Sequence, residues 1–178
     1  MGNRILLHVC CGPCSTASIE RLLGEGYEPV LFFSDSNIYP EAEFEKRYDN
    51  LLKVAAFYNL EVIKDAWLHE SWLEWIKGYE NEREHGKRCT LCFRYNLMKA
   101  AEKAEELGIP YFATTLTVSR FKNSKVIFSQ GEDLKGFLAI DFKKKDGFNR
   151  SIVLSKELGL YRQQYCGCEF SMRDAVAD

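Results

Sequence analysis

The stretch Ile5-Leu6-Leu7-His8-Val9-Cys10-Cys11-Gly12-Pro13-Cys14-Ser15 decides the fold. Its first residues are almost wholly apolar, which suits a strand buried on both faces of a parallel sheet. Cysteines follow at once, and a helix is expected over 15–23, ended by Gly24. Runs at 29–33, 61–63, 111–115 and 137–140 read as further strands. Between them, Phe44, Tyr48, Leu51, Ala55 and Tyr58 fall on one helical stripe, as do Phe93, Leu97, Ala100, Ala104 and Leu107, with Gly108 and Pro110 stopping the second. A further helix is expected over 150–158, ended by Gly159. Strands alternating with helices give an α/β fold: a parallel sheet with helices on both faces. The segment 67–88 carries all three tryptophans, breaks the alternation and reads as a helical insertion.

The chain has 178 residues, 46% hydrophobic and 28% charged, an ordinary globular composition. No repeat or low-complexity linker divides it, so one domain over 1–178 is expected. Apolar runs such as Val30-Leu31-Phe32-Phe33 are too short to cross a membrane. The opening residues lead straight into the first strand with no signal-peptide pattern, which gives the expectation of a cytoplasmic chain. The net charge of −2 means that any nucleic-acid binding must come from a local basic patch.

The seven cysteines fall into three groups: Cys10, Cys11 and Cys14; Cys89 and Cys92; Cys166 and Cys168. An odd number without a secretion signal argues against a disulfide framework and for metal or redox chemistry. The first group lies where a strand meets a helix N-terminus, a place that lowers thiol pKa values and sits at the ligand-binding end of such sheets. Three readings fit. Cys11-Gly12-Pro13-Cys14 matches the thioredoxin tetrapeptide, which would make a dithiol oxidoreductase, although Cys10 and the remaining cysteines then have no role. Cys11, Cys14, Cys89 and Cys92 would make a tetrahedral zinc site in an RNA-interaction module. An iron–sulfur cluster on four thiolates, with other cysteines beside it, uses more of the pattern.

The segments His8-Val9-Cys10-Cys11-Gly12-Pro13-Cys14-Ser15, Asn37-Ile38-Tyr39-Pro40, Arg88-Cys89-Thr90-Leu91-Cys92-Phe93-Arg94, Thr114-Thr115-Leu116-Thr117 and Tyr161-Arg162-Gln163-Gln164-Tyr165-Cys166-Gly167-Cys168 together resemble the cobalamin-independent epoxyqueuosine reductases, the QueH family. The resemblance runs over nearly the whole chain, with Gly12, Tyr39 and Arg120 standing where the family pattern has Ala, His and Pro. It implies an adenine-nucleotide alpha-hydrolase-like fold and a single catalytic domain. The implied activity is that of an oxidoreductase which reduces epoxyqueuosine to queuosine at the wobble position of tRNA, the last step of queuosine biosynthesis. It further implies a [4Fe-4S] cluster at Cys10, Cys11, Cys89 and Cys92 and a redox-active pair at Cys166 and Cys168. The implied partners are tRNA carrying epoxyqueuosine and an electron donor that the residues do not identify.

Epoxide to alkene plus water takes two electrons and two protons, while one cluster passes electrons singly. A dithiol or a second iron ion would carry the other electron. Cys14 with Asp35 is the candidate pair for that second metal, although the ordinary reading of Asp35 within Ser34-Asp35-Ser36-Asn37 is a turn or cap residue. His8 reads as a packing residue beside the cysteines, and His69 and His85 as surface residues. Trp67, Trp72 and Trp75 read as core. The basic sets Lys87, Arg88 and Arg94, then Arg120, Lys122 and Lys125, then Lys143, Lys144, Lys145 and Arg150, read as solvated charge that flanks the cysteines and could meet RNA phosphates.

Overall fold

The structure, a computed structural model, describes residues 2–177. Strands β1 (Arg4–Val9), β2 (Glu28–Phe33), β3 (Val62–Lys64) and β4 (Tyr111–Thr114) form one parallel sheet in the order β3-β2-β1-β4. In register, Leu7 faces Leu31 and Val9 faces Phe33 across β1 and β2, while Leu6 faces Phe112 and His8 faces Thr114 across β1 and β4. Alternate residues of β1 and β2 feed separate cores. Ile5, Leu7, Val9, Leu31 and Phe33 pack with Ile19 and Leu22 of α1 (Gly12–Gly24) and Phe44, Leu51 and Val54 of α2 (Glu41–Tyr58). On the other face Leu6, Val30 and Phe32 pack with Phe93, Leu97 and Ala100 of α4 (Lys87–Glu106) and Ile127 of α5 (Ser124–Gly131). Both faces are covered, which is why the strand sequences are apolar without alternation.

The expected strand at 137–140 is reduced to a single parallel bridge from Phe137 to Phe112. The physical reason lies in β4: after Thr114 the chain tightens into a 3-10 turn over Thr115–Val118, so an edge strand finds only a short partner. The helix over 15–23 starts earlier, at Gly12, because Cys11 serves as its N-cap and Pro13 suits its first turn. The insertion is helical only in α3 (His69–Trp75); bends and turns then lead to α4. Helix α6 (Gly147–Glu157) lies against α1, and α7 (Glu169–Ala177) follows the last cysteines. Gly108 and Gly159, with φ of +66° and +63°, terminate α4 and α6 as their positions suggest. No helix among the described residues is long and apolar enough to cross a membrane.

Candidate functional site

The carboxyl ends of β1, β2 and β4 open onto a cavity of about 390 Å³, lined by Cys10, Cys14, Cys89, Cys92, Cys166 and Cys168 together with Asp35, Arg47, Arg88 and Lys122. This is the end of the sheet where parallel α/β folds place their ligands. Three segments far apart in sequence therefore bring cysteines to one space.

At the exit of β1, the sulfurs of Cys10, Cys11 and Cys14 lie within 4.8 Å of one another. Cys14 thus belongs with the first two. Cys11 is buried at the α1 N-cap and its Sγ accepts the Cys14 N–H at 3.4 Å. Hydrogen bonds from Cys10 and Cys14 hold the Cys11 thiol well below its ordinary pKa, while contacts with Cys10 and Cys11, and burial, push Cys14 well above it. A Cys11–Cys14 dithiol of thioredoxin type is not an isolated pair here, because Cys10 shares its contacts.

Cys89 and Cys92 lie on the first turns of α4. Burial pushes Cys89 up to about 11 and Cys92 well above its ordinary range. Both sulfurs nevertheless have N–H groups beside them: the His85 amide 3.3 Å from Cys89 Sγ and Asn96 Nδ2 3.7 Å from Cys92 Sγ. The indole Nε1 of Trp72 is buried without a hydrogen-bond partner. Donors of this kind stabilise sulfur when it is a thiolate.

The final cysteine loop is held by side chains. Arg47, 1% exposed, donates to the carbonyl of Cys166 at 2.7 Å and that of Tyr165 at 3.1 Å, while its Nε pairs with Glu43 at 2.9 Å. Asn50 bonds both the carbonyl and the amide of Tyr161, and the Tyr39 amide donates to the Gly167 carbonyl at 2.8 Å. Cys166 is exposed; Cys168 is buried and its Sγ accepts the Ser171 N–H at 3.4 Å at the start of α7. Burial pushes the Cys168 thiol up.

Asp35 opens a turn, its carbonyl accepting the Ile38 N–H at 3.0 Å, as its sequence context suggests, but at 2% exposure it is buried and not a surface residue. Its Oδ1 lies 3.2 Å from His8 Nε2, which also donates to the Ser34 carbonyl at 3.0 Å, and its Oδ2 is buried without a partner. Burial raises the Asp35 pKa to about 6 against the pull of His8. His8 loses to burial but gains more from Asp35, so its pKa is raised. The packing role expected of His8 holds, with the addition that it grips Asp35.

Several basic and histidine residues are placed differently from expectation. Arg88 is 1% exposed, its Nη1 bonded to the Glu82 carbonyl and its guanidinium 5.0 Å from the Phe170 ring, because the α4 start is overlaid by α7. Lys143 is not a free surface charge: Nζ donates to the carbonyls of Thr117, Ser119 and Lys122 and to Ser124 Oγ. Lys144 and Lys145 are exposed. His69 is buried between the rings of Trp67 and Trp72, at 5.4 and 5.5 Å, and is paired with Glu169 at 2.9 Å. Trp72 is core, whereas Trp75 is 39% exposed. Arg47 went unmarked in the sequence, although its place three residues after Phe44, on the buried stripe of α2, was the available signal. Arg47, Arg88 and Lys122 put buried or half-buried positive charge around the thiols, and the sulfurs in turn favour the charged form of Lys122.

A family model described as Epoxyqueuosine reductase QueH matches residues 5–174. The chain is 37% identical over 180 residues to a protein of that name from Streptococcus pyogenes serotype M1, covering 95% of this chain and 70% of that one. It is 35% identical over 176 residues to the one from Thermotoga maritima, covering 94% of this chain and 90% of that one. Among solved structures, the U34-tRNA thiolase NcsA from Methanococcus maripaludis with its [4Fe-4S] cluster aligns with a TM-score of 0.56 at 11% identity, over 98% of this chain and 63% of that chain. At that identity the likeness speaks to the fold, and it agrees with the nucleotide alpha-hydrolase-like type.

Proposed function

The chain belongs to the epoxyqueuosine reductase QueH family, and from that premise we propose that it binds tRNA in the cytoplasm and reduces epoxyqueuosine at the wobble position to queuosine at the cysteine-lined cavity. The observation that carries this reading is the convergence of Cys10, Cys14, Cys89, Cys92, Cys166 and Cys168 on one space.

The donor set fits an iron–sulfur cluster. Cys10 and Cys14 line the same cavity as Cys89 and Cys92, although among the described residues only Cys10, Cys11 and Cys14 lie within 4.8 Å of one another; N–H groups stand beside the Cys11, Cys89 and Cys92 sulfurs, and Arg88 and Lys122 line the same space with positive charge. Cys10, Cys11, Cys89 and Cys92 would hold a [4Fe-4S] cluster. Cys14 and the unpartnered Oδ2 of Asp35 would hold a second iron. Together these groups would supply single electrons and a Lewis-acidic centre for the epoxide oxygen.

The protein's own part is different. Cys166 and Cys168, on closing a disulfide, release two electrons and two protons. That balances the conversion of an epoxide to an alkene and water. Arg47 orients their loop through the Tyr165 and Cys166 carbonyls, and His8 fixes the rotamer of Asp35. An external donor must then reopen the disulfide. The single domain over 1–178, with its insertion at 67–88, is the unit proposed to do this.

The direct test is a product assay. Protein prepared without oxygen and given a strong reductant should convert epoxyqueuosine tRNA to queuosine tRNA, read by nucleoside analysis. A colourless protein with stoichiometric zinc and no conversion would reject the reading in favour of a zinc-held RNA-binding module.

A further inference from the structure

The mouth of the cavity carries an aromatic side chain that the fold leaves in solvent. Phe121 is 66% exposed, yet it lines the cavity together with Phe148 and Lys122. Its exposure is held in place from behind. Lys143 Nζ donates to the carbonyls of Thr117, Ser119 and Lys122 at 2.9, 3.2 and 2.9 Å, on both sides of Phe121. Ser119 Oγ accepts the Phe121 N–H at 3.2 Å, and Asn123 caps α5 immediately after. A ring presented on so tightly bonded a loop pays little ordering cost when something binds it.

The surroundings indicate what that is. The Arg120 guanidinium lies 5.2 Å from the Phe121 ring centroid and 4.8 Å from that of Phe148. Lys122 lines the wall below, and the exposed Arg162 lines the cavity too; Glu84 is the acidic residue that lines it apart from the buried Asp35. A single exposed π face set among cations is not the contiguous apolar patch that a protein partner needs. It has the two features that bind unpaired nucleotides: a ring on which a base can stack, and positive charge for the adjoining phosphates.

We propose that Phe121, with Arg120 and Phe148 behind it, is the stacking platform for an unpaired base next to the reacting nucleoside. The anticodon-loop neighbour of the wobble position is then part of what the protein recognises. The inference rests on the reading of tRNA as substrate. While one nucleoside occupies the cavity, its neighbour is left at the mouth, where the ring stands.

The test measures binding of an anticodon stem-loop RNA carrying epoxyqueuosine to the anaerobically prepared full chain, over a salt series. Phe121→Ala should weaken binding about 5- to 150-fold, the scale of one base–aromatic stack. The slope of log Kd against log salt should stay unchanged, because no phosphate contact is lost. Phe121→Trp should bind like the unaltered protein, and Phe121→Leu, which keeps apolar bulk without a π face, should bind like Phe121→Ala. Arg120→Ala should flatten the slope by about 0.7, one single-strand phosphate contact. Binding by Phe121→Ala within twofold of the unaltered protein would overturn the proposal, as would Phe121→Leu matching Phe121→Trp. A dimer that Phe121→Ala dissolves would overturn it too, by giving the ring to a second copy. If the unaltered protein binds the RNA through Phe121 but leaves it unreduced, the reductase reading fails and the platform stands. If it reduces the RNA and Phe121 is immaterial to binding, the platform alone fails.

Discussion

Cys10, Cys11 and Cys14 are carried by the junction of β1 and α1, whereas Cys166 and Cys168 sit on a segment with no strand or helix of its own until α7 begins. The first group is placed by regular structure: β1 is buried on both faces, and the chain turns into a helix capped by Cys11. The second group is placed by groups from elsewhere, chiefly the Arg47 and Asn50 side chains and the Tyr39 backbone amide. The same cavity thus has one wall fixed by the backbone ladder and one fixed by a clamp of bonds from distant residues. The roles proposed above, holding metal at the first group and opening and closing a disulfide at the second, would draw on these different supports.

The sharpest way to separate the two walls is to remove sulfurs from each. Cys10→Ser, Cys11→Ser, Cys89→Ser and Cys92→Ser should each deplete bound iron and sulfide, which should stand at about four of each per chain in the unaltered protein, and abolish turnover. Full iron content and activity in Cys89→Ser would remove α4 from the ligand set. Cys166→Ser and Cys168→Ser should keep the iron, sulfide and absorption spectrum while losing turnover. Loss of the spectrum in either would merge the two walls into one metal site, and normal turnover in both would take the dithiol out of the reaction.

Next in size is the clamp. Arg47→Met strips a buried guanidinium from Glu43 and from two carbonyls, and should cost about 3–5 kcal/mol of stability. Denaturant unfolding gives the number. Arg47→Lys keeps the charge but cannot reach Glu43 and both carbonyls in one plane, so it should recover part of the stability and less of the turnover. Full turnover in Arg47→Lys would show that charge, and not the fork geometry, holds the loop.

The smallest effect is a matched pair of glycine substitutions. At Gly167 a Cβ would lie 3.1 Å from Ile38 Cγ1 and 3.3 Å from Arg47 Nη1 and Asn37 Nδ2, so Gly167→Ala should cost about 1–3 kcal/mol by crowding the clamp. At Gly12, the first residue of α1, the nearest heavy atoms would be backbone atoms of Asn50 at 3.4 Å, an ordinary contact. Gly12→Ala should be neutral or stabilise by up to about 1 kcal/mol. Equal effects at the two positions in thermal unfolding would deny the contrast between the walls.

Local signals settled the elements. The largely apolar runs marked β1, β2 and β4, the stripes marked α2 and α4, and Gly108 and Gly159 marked the ends of α4 and α6, because burial and capping act within a few residues of chain. The cysteine groups were legible as chemistry for the same reason: their spacing is written in sequence. The strand at 137–140 failed because its partner β4 ends at Thr114, a fact outside the segment itself. Convergence of the three groups, the burial of Arg47, Arg88 and His69, the internal bonding of Lys143 and the unpartnered oxygen of Asp35 came only with the tertiary structure. A lysine's composition and neighbours in sequence are the same whether it faces water or three carbonyls. What decides is which distant backbone needs a donor, and that is fixed only when the sheet has brought the segments together.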